Sequence, residues 1–345
     1  MASNLDAWAI QLTMAAVAAV ISVALIVALR PFLARYALAR PNARSSHSKP
    51  TPQGGGIAVV AAMTIVIAGA LQLFPRFFDD PRQLAGMLAA VLGLAIIGVT
   101  DDVRPLEALP RLILQAVAVA VVLAMLPPEL RIIPAVPWWI ERAGLLIGGI
   151  WFVNLTNFMD GIDWMTVAEV VPITAALAAF GLMGALPSGA TVVSFALCGA
   201  MIGFAPFNRP VARLFLGDVG SLPIGLVIAW LLILLAGRGH WAAALLLPLY
   251  YLADATVTLL RRLAKGEPIM QAHRSHFYQR ANAAGFSVHQ IVGTVLLTNL
   301  FLIGLAAATL LVPSPLFRGI ALAAGCALVS VQLCNFARPK RQKQA

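Results

Sequence analysis

Long apolar segments, each bounded by charged residues, proline or glycine clusters, recur along the whole chain. A segment of about 20 apolar residues matches the length of a helix that crosses a lipid bilayer. The fifth segment is the least regular, since Pro134, Pro137, Glu141 and Arg142 crowd its start. The pattern predicts an all-α, polytopic integral membrane protein with about eleven membrane-spanning helices at 8–29, 57–74, 84–100, 112–126, 143–156, 167–186, 190–206, 219–236, 241–260, 290–312 and 317–336.

The composition supports the membrane assignment. Of 345 residues, 61% are hydrophobic and 11% are charged, whereas soluble domains average about 45–50% and about 25%. A soluble globule could not bury so much apolar surface. The three cysteines lie in apolar runs, so we expect them to pack rather than to form disulfides or bind zinc. No internal repeat or linker is evident, and we expect one membrane domain over 1–345.

Lysine and arginine predict the orientation, because cytoplasmic loops are enriched in both. With the N-terminus outside and the C-terminus in the cytoplasm, the inner segments hold 18 of the 24 basic residues. They are 30–56, 101–111, 157–166, 207–218, 261–289 and the tail from 337. A net charge of +10 then indicates contact with anionic lipid headgroups. We expect no binding to nucleic acid, since no basic stripe alternates with aromatic residues.

Six of the nine aspartates lie at the cytoplasmic ends of predicted helices or about two turns from them. They are Asp101, Asp102, Asp160, Asp163, Asp218 and Asp254. Carboxylates near a bilayer are costly, and they are retained mainly where they pair, bind a metal or face water. One such acid alone would be an ordinary interface residue. Their convergence on one membrane face predicts a functional site there.

The local sequences indicate what the acids do. GVTDDVRPL (98–106) places two adjacent acids at a helix end, where they could bind a hard divalent cation. In NLTNFMDGID (154–163), Asn154, Asn157 and Asp160 would share one helix face. LGDVGS (216–221) places an acid between glycines at a helix start, which favours anions or a metal–phosphate pair.

Two other segments allow two interpretations each. SKPTPQGGG (48–56) suits close approach of backbone to phosphate, or is a stiff loop with glycines at a helix entry. His273 and His276, flanked by arginines, could face one ligand, or the segment could be a basic amphipathic stretch resting on lipid. Zinc is not expected there, because no third nitrogen or sulfur ligand is near.

Together these features predict a metal-dependent phosphotransferase that joins a soluble phosphorylated donor to a lipid acceptor. The main alternative is a transporter whose acidic residues relay ions to the cytoplasm. A transporter predicts acids near span centres, whereas only Asp254 is clearly inside a predicted span.

Five ordered motifs carry a family resemblance: SHSKPTPQGGG (46–56), DDVRPL (101–106), NFMDGID (157–163), FNRPVARLFLGDVGS (207–221) and AHRSHFYQR (272–280). The chain resembles the polyprenyl-phosphate N-acetylhexosamine-1-phosphate transferases. The last motif is most similar to the branch that initiates O-antigen or exopolysaccharide. One departure is Trp164, where the family usually has glycine, and it bears on the local backbone and on sugar selectivity.

The resemblance implies transfer of an N-acetylhexosamine-1-phosphate from a UDP-sugar to undecaprenyl phosphate, with release of UMP, at the cytoplasmic face of a bacterial inner membrane. It implies a Mg²⁺ cofactor, with Mn²⁺ as a substitute, and a homodimer. The implied metal ligand is Asp218, the implied catalytic residues are Asp101, Asp102, Asp160, Asp163, His273 and His276, and the implied substrate-binding residues are Lys49, Thr51, Asn157, Asn208, Phe215 and Arg274.

Overall fold

A computed structural model describes residues 2–39, 50–268 and 273–338, with the side chains of 2–7 left out. These residues are almost entirely helical. The helices are α1 Ala2–Tyr36, α2 Gly56–Leu73, α3 Pro81–Val103, α4 Ala108–Ala124, α5 Trp138–Met159, α6 Met165–Leu182, α7 Ser188–Phe204, α8 Asp218–Leu235, α9 Trp241–Leu246, α10 Leu249–Ala264, α11 Phe277–Ala283, α12 Val288–Leu311 and α13 Pro315–Ala337. Strands β1 Leu38–Ala39 and β2 Thr51–Pro52 form a short antiparallel ladder.

The all-α, polytopic prediction is confirmed. In the part of the chain that the structure describes, seven helices are long and apolar enough to cross a membrane. They are Trp8–Tyr36, Gly56–Leu73, Pro81–Val103, Met165–Leu182, Asp218–Leu246, Val288–Leu311 and Pro315–Ala337, with shorter apolar helices at Ala108–Ala124 and Ser188–Phe204. The number of spans and the orientation stay predictions.

Each predicted segment coincides with a helix except the ninth. The predicted span 241–260 is divided into α9 and α10 at Leu247 and Pro248. Proline lacks the backbone N–H that a continuous helix requires, which accounts for the break. The fifth helix forms in spite of its charged start: Glu141 pairs with Arg131 at 2.7 Å and also accepts the backbone N–H of Ile132.

Helix α8 is the central element of the bundle. Its sequence is apolar on every side after the first turn, which is typical of a helix surrounded by others. It packs against α2, α3 and α5, and nearly all of its residues are buried. Among the cysteines, all free, Cys198 is buried as expected, whereas Cys326 and Cys334 are exposed.

Glycines set how closely α8 approaches its neighbours at one end. A Cβ added to Gly56, at the start of α2, would lie 2.2 Å from the Cα of Gly220 in α8. A Cβ on Gly98, near the end of α3, would lie 2.4 Å from the backbone nitrogen of Val219. These contacts bring the start of α8 against the ends of its neighbours, where the acidic motifs lie.

Candidate active site

The two carboxyl groups of Asp101 and Asp218 contact each other where α3 ends and α8 begins. Asp101 also accepts a 2.7 Å bond from Arg111, at the start of α4, and a 2.6 Å bond from the backbone N–H of Leu106. The Arg111 guanidinium lies 4.0 Å from Asp218. Two carboxyl groups in contact favour a cation between them. Arg111 alone supplies only part of the positive charge that would balance both carboxylates.

Asn157 fixes the orientation of Asp218. Its side-chain amide donates to Asp218 Oδ1 at 2.7 Å and to the hydroxyl of Ser221 at 3.0 Å. The second carboxyl oxygen, Oδ2, is the atom nearest to Arg111. Asp218 is partly exposed, with 24% of its side-chain surface accessible, so its carboxylate can reach a ligand.

Asp102 has a different role from its neighbour. Its carboxylate accepts the backbone N–H groups of Asp218, at 2.9 Å, and Val219, at 3.2 Å, and a bond from the side chain of Gln53. A carboxylate at the first N–H groups of a helix stabilises that helix end. Asp102 therefore anchors the start of α8, and with it Asp218, to α3.

A cavity of about 570 Å³ opens beside these residues. One end is polar, and its walls include Arg111, Asn157, Asp218, His273, His276 and Gln279. The remaining wall is largely apolar. It includes Leu112, Ile147, Ile150, Trp151, Phe158 and Leu259, with Gln115 and Asn154 as polar residues. Such a cavity can hold a charged group at one end and a hydrocarbon chain along the other.

The two histidines of the last motif meet at this cavity. Their ring centroids are 5.0 Å apart, and the Ser275 hydroxyl lies 2.8 Å from His273 Nδ1. Burial, together with the nearby His276 and Arg262, lowers the pKa of His273 to about 4. His273 is therefore a neutral imidazole at pH 7. Arg274 is exposed beside the two histidines, and Lys49 lies outside the described residues.

Asp160 does not share the helix face that the spacing predicted. Asn154 and Asn157 both line the cavity, but α5 ends at Met159, so Asp160 lies just beyond it and accepts a bond from the hydroxyl of Thr166. Burial, followed by the charges of Asp102 and Asp163, raises the pKa of Asp160 to about 7. The folded protein therefore resists the ionisation of this carboxyl group.

The pH dependence of unfolding tests this environment. Because the pKa of Asp160 is raised from 3.8 to about 7, its contribution favours folding at low pH and is lost as the pH rises through 7. Asp160→Asn cannot ionise and can still accept the Thr166 bond. Thermal unfolding in detergent should show the variant gaining stability relative to the native protein between pH 4 and 7. A constant difference over that range would contradict the burial.

Asp163, Asn208 and Phe215 hold loops together. Asp163 accepts the backbone N–H of Ala212 at 3.0 Å, and Asn208 donates to the Leu214 carbonyl at 3.0 Å. The Phe215 carbonyl accepts the N–H groups of Gly54 and Gly55. The contacts of Asp163 and Phe215 join residues far apart in sequence, whereas Asn208 and Leu214 are six positions apart. The predicted substrate-binding roles of Asn208 and Phe215 stay predictions.

The glycine run favours the structural interpretation. The N–H groups of Gly54, Gly55 and Gly56 all donate to the carbonyls of Phe215 and Leu216. They are therefore occupied by backbone and are not directed at a phosphate. Thr51 is buried in β2 within the same segment, which links the start of α2 to the loop before α8.

Trp164 keeps the backbone conformation that glycine adopts easily. Its φ of 62° and ψ of 0° lie in the left-handed region, which costs about 1–2 kcal/mol for a residue with a side chain. Two hydrogen bonds offset this cost: its backbone N–H donates to Asn208 at 2.8 Å and its indole N–H to the Ala205 carbonyl at 2.7 Å.

Sequence analysis missed one residue of the site, Arg111, and did not give the partners of another, Asp254. Arg111 lay in a predicted inner segment, but its contact with Asp101 depends on how α4 packs on α3. Asp254 would ordinarily be expected to pair with Arg261 or Arg262 on its own helix. The structure shows instead that Asp254 is wholly buried and bonded to the backbone of α11 and to His276.

Comparison with known proteins identifies the family. A model of glycosyl transferase family 4 matches residues 84–236. The chain is 30% identical over 251 residues to the phospho-N-acetylmuramoyl-pentapeptide-transferase of Bacillus mycoides, covering 65% of this chain and 75% of that protein. The chain belongs to this family of transferases.

Two further relatives match a larger share of this chain. It is 26% identical over 289 residues to a probable undecaprenyl-phosphate N-acetylglucosaminyl 1-phosphate transferase of Bacillus subtilis, covering 79% of this chain and 78% of that protein. It is 26% identical over 299 residues to a decaprenyl-phosphate N-acetylglucosaminephosphotransferase of Mycobacterium tuberculosis, covering 74% of this chain and 71% of that protein.

Family membership confirms the resemblance drawn from the five motifs and makes the protein a multi-pass membrane phosphotransferase. The transporter alternative is therefore not supported. These relatives are named for N-acetylglucosamine and N-acetylmuramoyl-pentapeptide transfer, and none is named for O-antigen synthesis, so the O-antigen branch stays a prediction.

Proposed function

We propose that the protein transfers an N-acetylhexosamine-1-phosphate from a UDP-sugar to undecaprenyl phosphate, releases UMP, and so starts a lipid-linked glycan of the cell envelope. The reaction would occur at the cytoplasmic face of the bacterial inner membrane. One observation carries the proposal: Arg111, Asn157 and Asp218 meet at the polar end of a cavity whose other wall is largely apolar, and Asp101 is bonded to Arg111. That site suits a diphosphate and a lipid phosphate together.

A magnesium ion fits the donor set. Asp218 and Asp101 offer hard carboxylate oxygens in contact with each other, and Mg²⁺ commonly takes one or two carboxylates and completes its shell with water and substrate phosphates. Among the described residues, no three His, Cys, Asp or Glu side chains form a site that could hold an ion alone. Mg²⁺, or Mn²⁺ with similar oxygen ligands, would neutralise phosphate charge when bound there.

The reaction is a single displacement at phosphorus. An oxygen of the lipid phosphate attacks the β-phosphorus of the UDP-sugar, and the bond from that phosphorus to the bridging oxygen breaks. UMP leaves with the electron pair. The attacking oxygen is already ionised near neutral pH, so the enzyme's main contributions are positioning and charge neutralisation.

The residues at the cavity have distinct parts in this displacement. Asn157 holds one oxygen of Asp218 and leaves the other toward Arg111. Arg111 places a permanent positive charge beside the incoming phosphates. His273 and His276, with Arg274 nearby, supply hydrogen-bonding groups for the donor diphosphate. Lipid chains would lie along the apolar wall near Leu112, Ile147 and Trp151.

The direct test is release of UMP by the purified protein in detergent. The assay contains undecaprenyl phosphate, Mg²⁺ and one UDP-N-acetylhexosamine at a time, with UDP-N-acetylglucosamine first because two relatives are named for that sugar. Release that requires lipid, metal and one sugar supports the proposal. Release of no nucleotide from any donor, by a folded and monodisperse protein, contradicts it.

A further inference from the structure

Asp254, in α10, has an unusually complete set of hydrogen bonds for an acid inside a helix bundle. Its side chain is wholly buried. One carboxyl oxygen accepts the backbone N–H of Phe277 at 2.9 Å, and the other accepts that of Tyr278 at 3.1 Å. The Tyr250 hydroxyl adds a 3.2 Å bond. The surrounding donors therefore compensate a buried carboxylate.

The same carboxylate contacts His276. The Nδ1 atom of His276 lies 3.3 Å from Asp254 Oδ1, and only 5% of the His276 side-chain surface is exposed. An ionised carboxylate only accepts hydrogen bonds, so this contact requires a proton on Nδ1. Nδ1–H then points at α10, and Nε2 is the remaining ring nitrogen available to a ligand.

His276 also belongs to the wall of the active-site cavity, beside Asn157, Asp218 and His273. The rings of Phe158 and Tyr278 pack near the imidazole, with centroids 6.2 Å and 5.9 Å from it. The ring is thus restricted by packing, and its hydrogen-bonding state is set by one partner. A histidine held this way presents a defined nitrogen to its ligand.

We propose that Asp254 is a positioning residue: it holds His276 as the Nδ1–H tautomer, so that Nε2 faces the position of the donor diphosphate. This inference rests on the proposed function. Asp254 does not line the cavity and does not touch substrate, so it acts through His276. By anchoring the start of α11, the same carboxylate also fixes the backbone on which His276 lies.

The tautomer of His276 can be measured without an assay of UMP release. The protein has five histidines, which are labelled with ¹⁵N and observed by NMR. The signal of His276 is assigned by its loss in His276→Gln. We expect the proton on Nδ1 in the native protein. A proton found on Nε2 would overturn the proposal, whether or not the protein releases UMP.

A double-mutant cycle tests the route of the effect. Replacing the outer partner of a metal-binding histidine commonly costs about 10–100-fold in affinity or activity, and we expect a loss of similar size in kcat/KM for Asp254→Asn. Since Asp254 acts through His276, the kcat/KM of the double variant should be less than about 3-fold below that of His276→Gln alone. If the two losses multiply, Asp254 is only a structural residue and the proposal fails.

Two further variants control for folding. Asp254→Glu keeps the carboxylate and should recover part of the activity lost in Asp254→Asn. Tyr250→Phe removes one donor to Asp254 without touching His276, and its kcat/KM should stay near the native value. If Asp254→Asn does not fold, the tautomer of the native protein still decides. If the native protein releases no UMP, the proposed function fails and the tautomer measurement stands separately.

Discussion

Asp218→Asn should lower the rate of UMP release by about 100- to 1,000-fold, the cost of losing one strong electrostatic contact to a transferring phosphoryl group. The asparagine oxygen can still accept the 2.7 Å bond from Asn157. The substitution also removes a negative charge beside Asp101, so the fold should not suffer. The loss should therefore appear in turnover while thermal unfolding in detergent is unchanged or improved.

Asp79→Asn is the matched control for this substitution. Asp79 is an exposed acid that precedes α3, at the end of that helix opposite Asp101 and Asp102. Its replacement makes the same change of charge and should leave UMP release unaltered. Substantial Mg²⁺-dependent activity in Asp218→Asn would refute the role given to Asp218.

Gly98→Ala should damage both activity and stability. The added Cβ would lie 2.4 Å from the nitrogen of Val219 and 2.5 Å from the carbonyl carbon and oxygen of Asp218. These are backbone atoms, so α3 and α8 must separate, at a cost of about 1–3 kcal/mol. A shift of about 1 Å in Asp218 would lower the rate by about 100-fold.

Gly93→Ala is the comparison within the same helix. Apart from the adjoining residues and backbone of α3 itself, no heavy atom lies within 4 Å of the Cβ that this change adds, and alanine is the better helix former by about 0.5–1 kcal/mol. Initial rates and unfolding temperatures of both variants, purified in parallel, separate the helix–helix contact from a general effect of alanine. Native activity in Gly98→Ala would show that α3 and α8 need not be so close.

The amino-acid sequence predicts the helices well because span length and apolar runs are local properties. Ten of the eleven predicted segments lie on a continuous helix. The ninth is divided because Pro248 interrupts a long apolar run, and the apolar pattern alone does not show that break. The two-stranded ladder was not predicted, since its strands have only two residues each.

Contacts within the site were harder to predict. The adjacent acids of the DDVRPL motif looked equivalent in sequence, yet Asp101 faces Arg111 and Asp218 whereas Asp102 anchors the start of α8. The difference arises from packing between residues more than 100 positions apart. The contacts of Asp254 also depend on packing, since His276, Phe277 and Tyr278 lie 22 to 24 positions further along the chain.

Under the proposed function, the cavity with one polar end and one apolar wall has a consequence for the order of events. The nucleotide sugar and the lipid occupy different parts of it, and the lipid oxygen must reach the diphosphate while both are bound. Double-reciprocal plots of initial rate against one substrate, at several levels of the other, should therefore intersect. A covalent enzyme intermediate would instead give parallel lines. A lipid analogue that fills only the apolar wall should slow the enzyme without displacing the nucleotide.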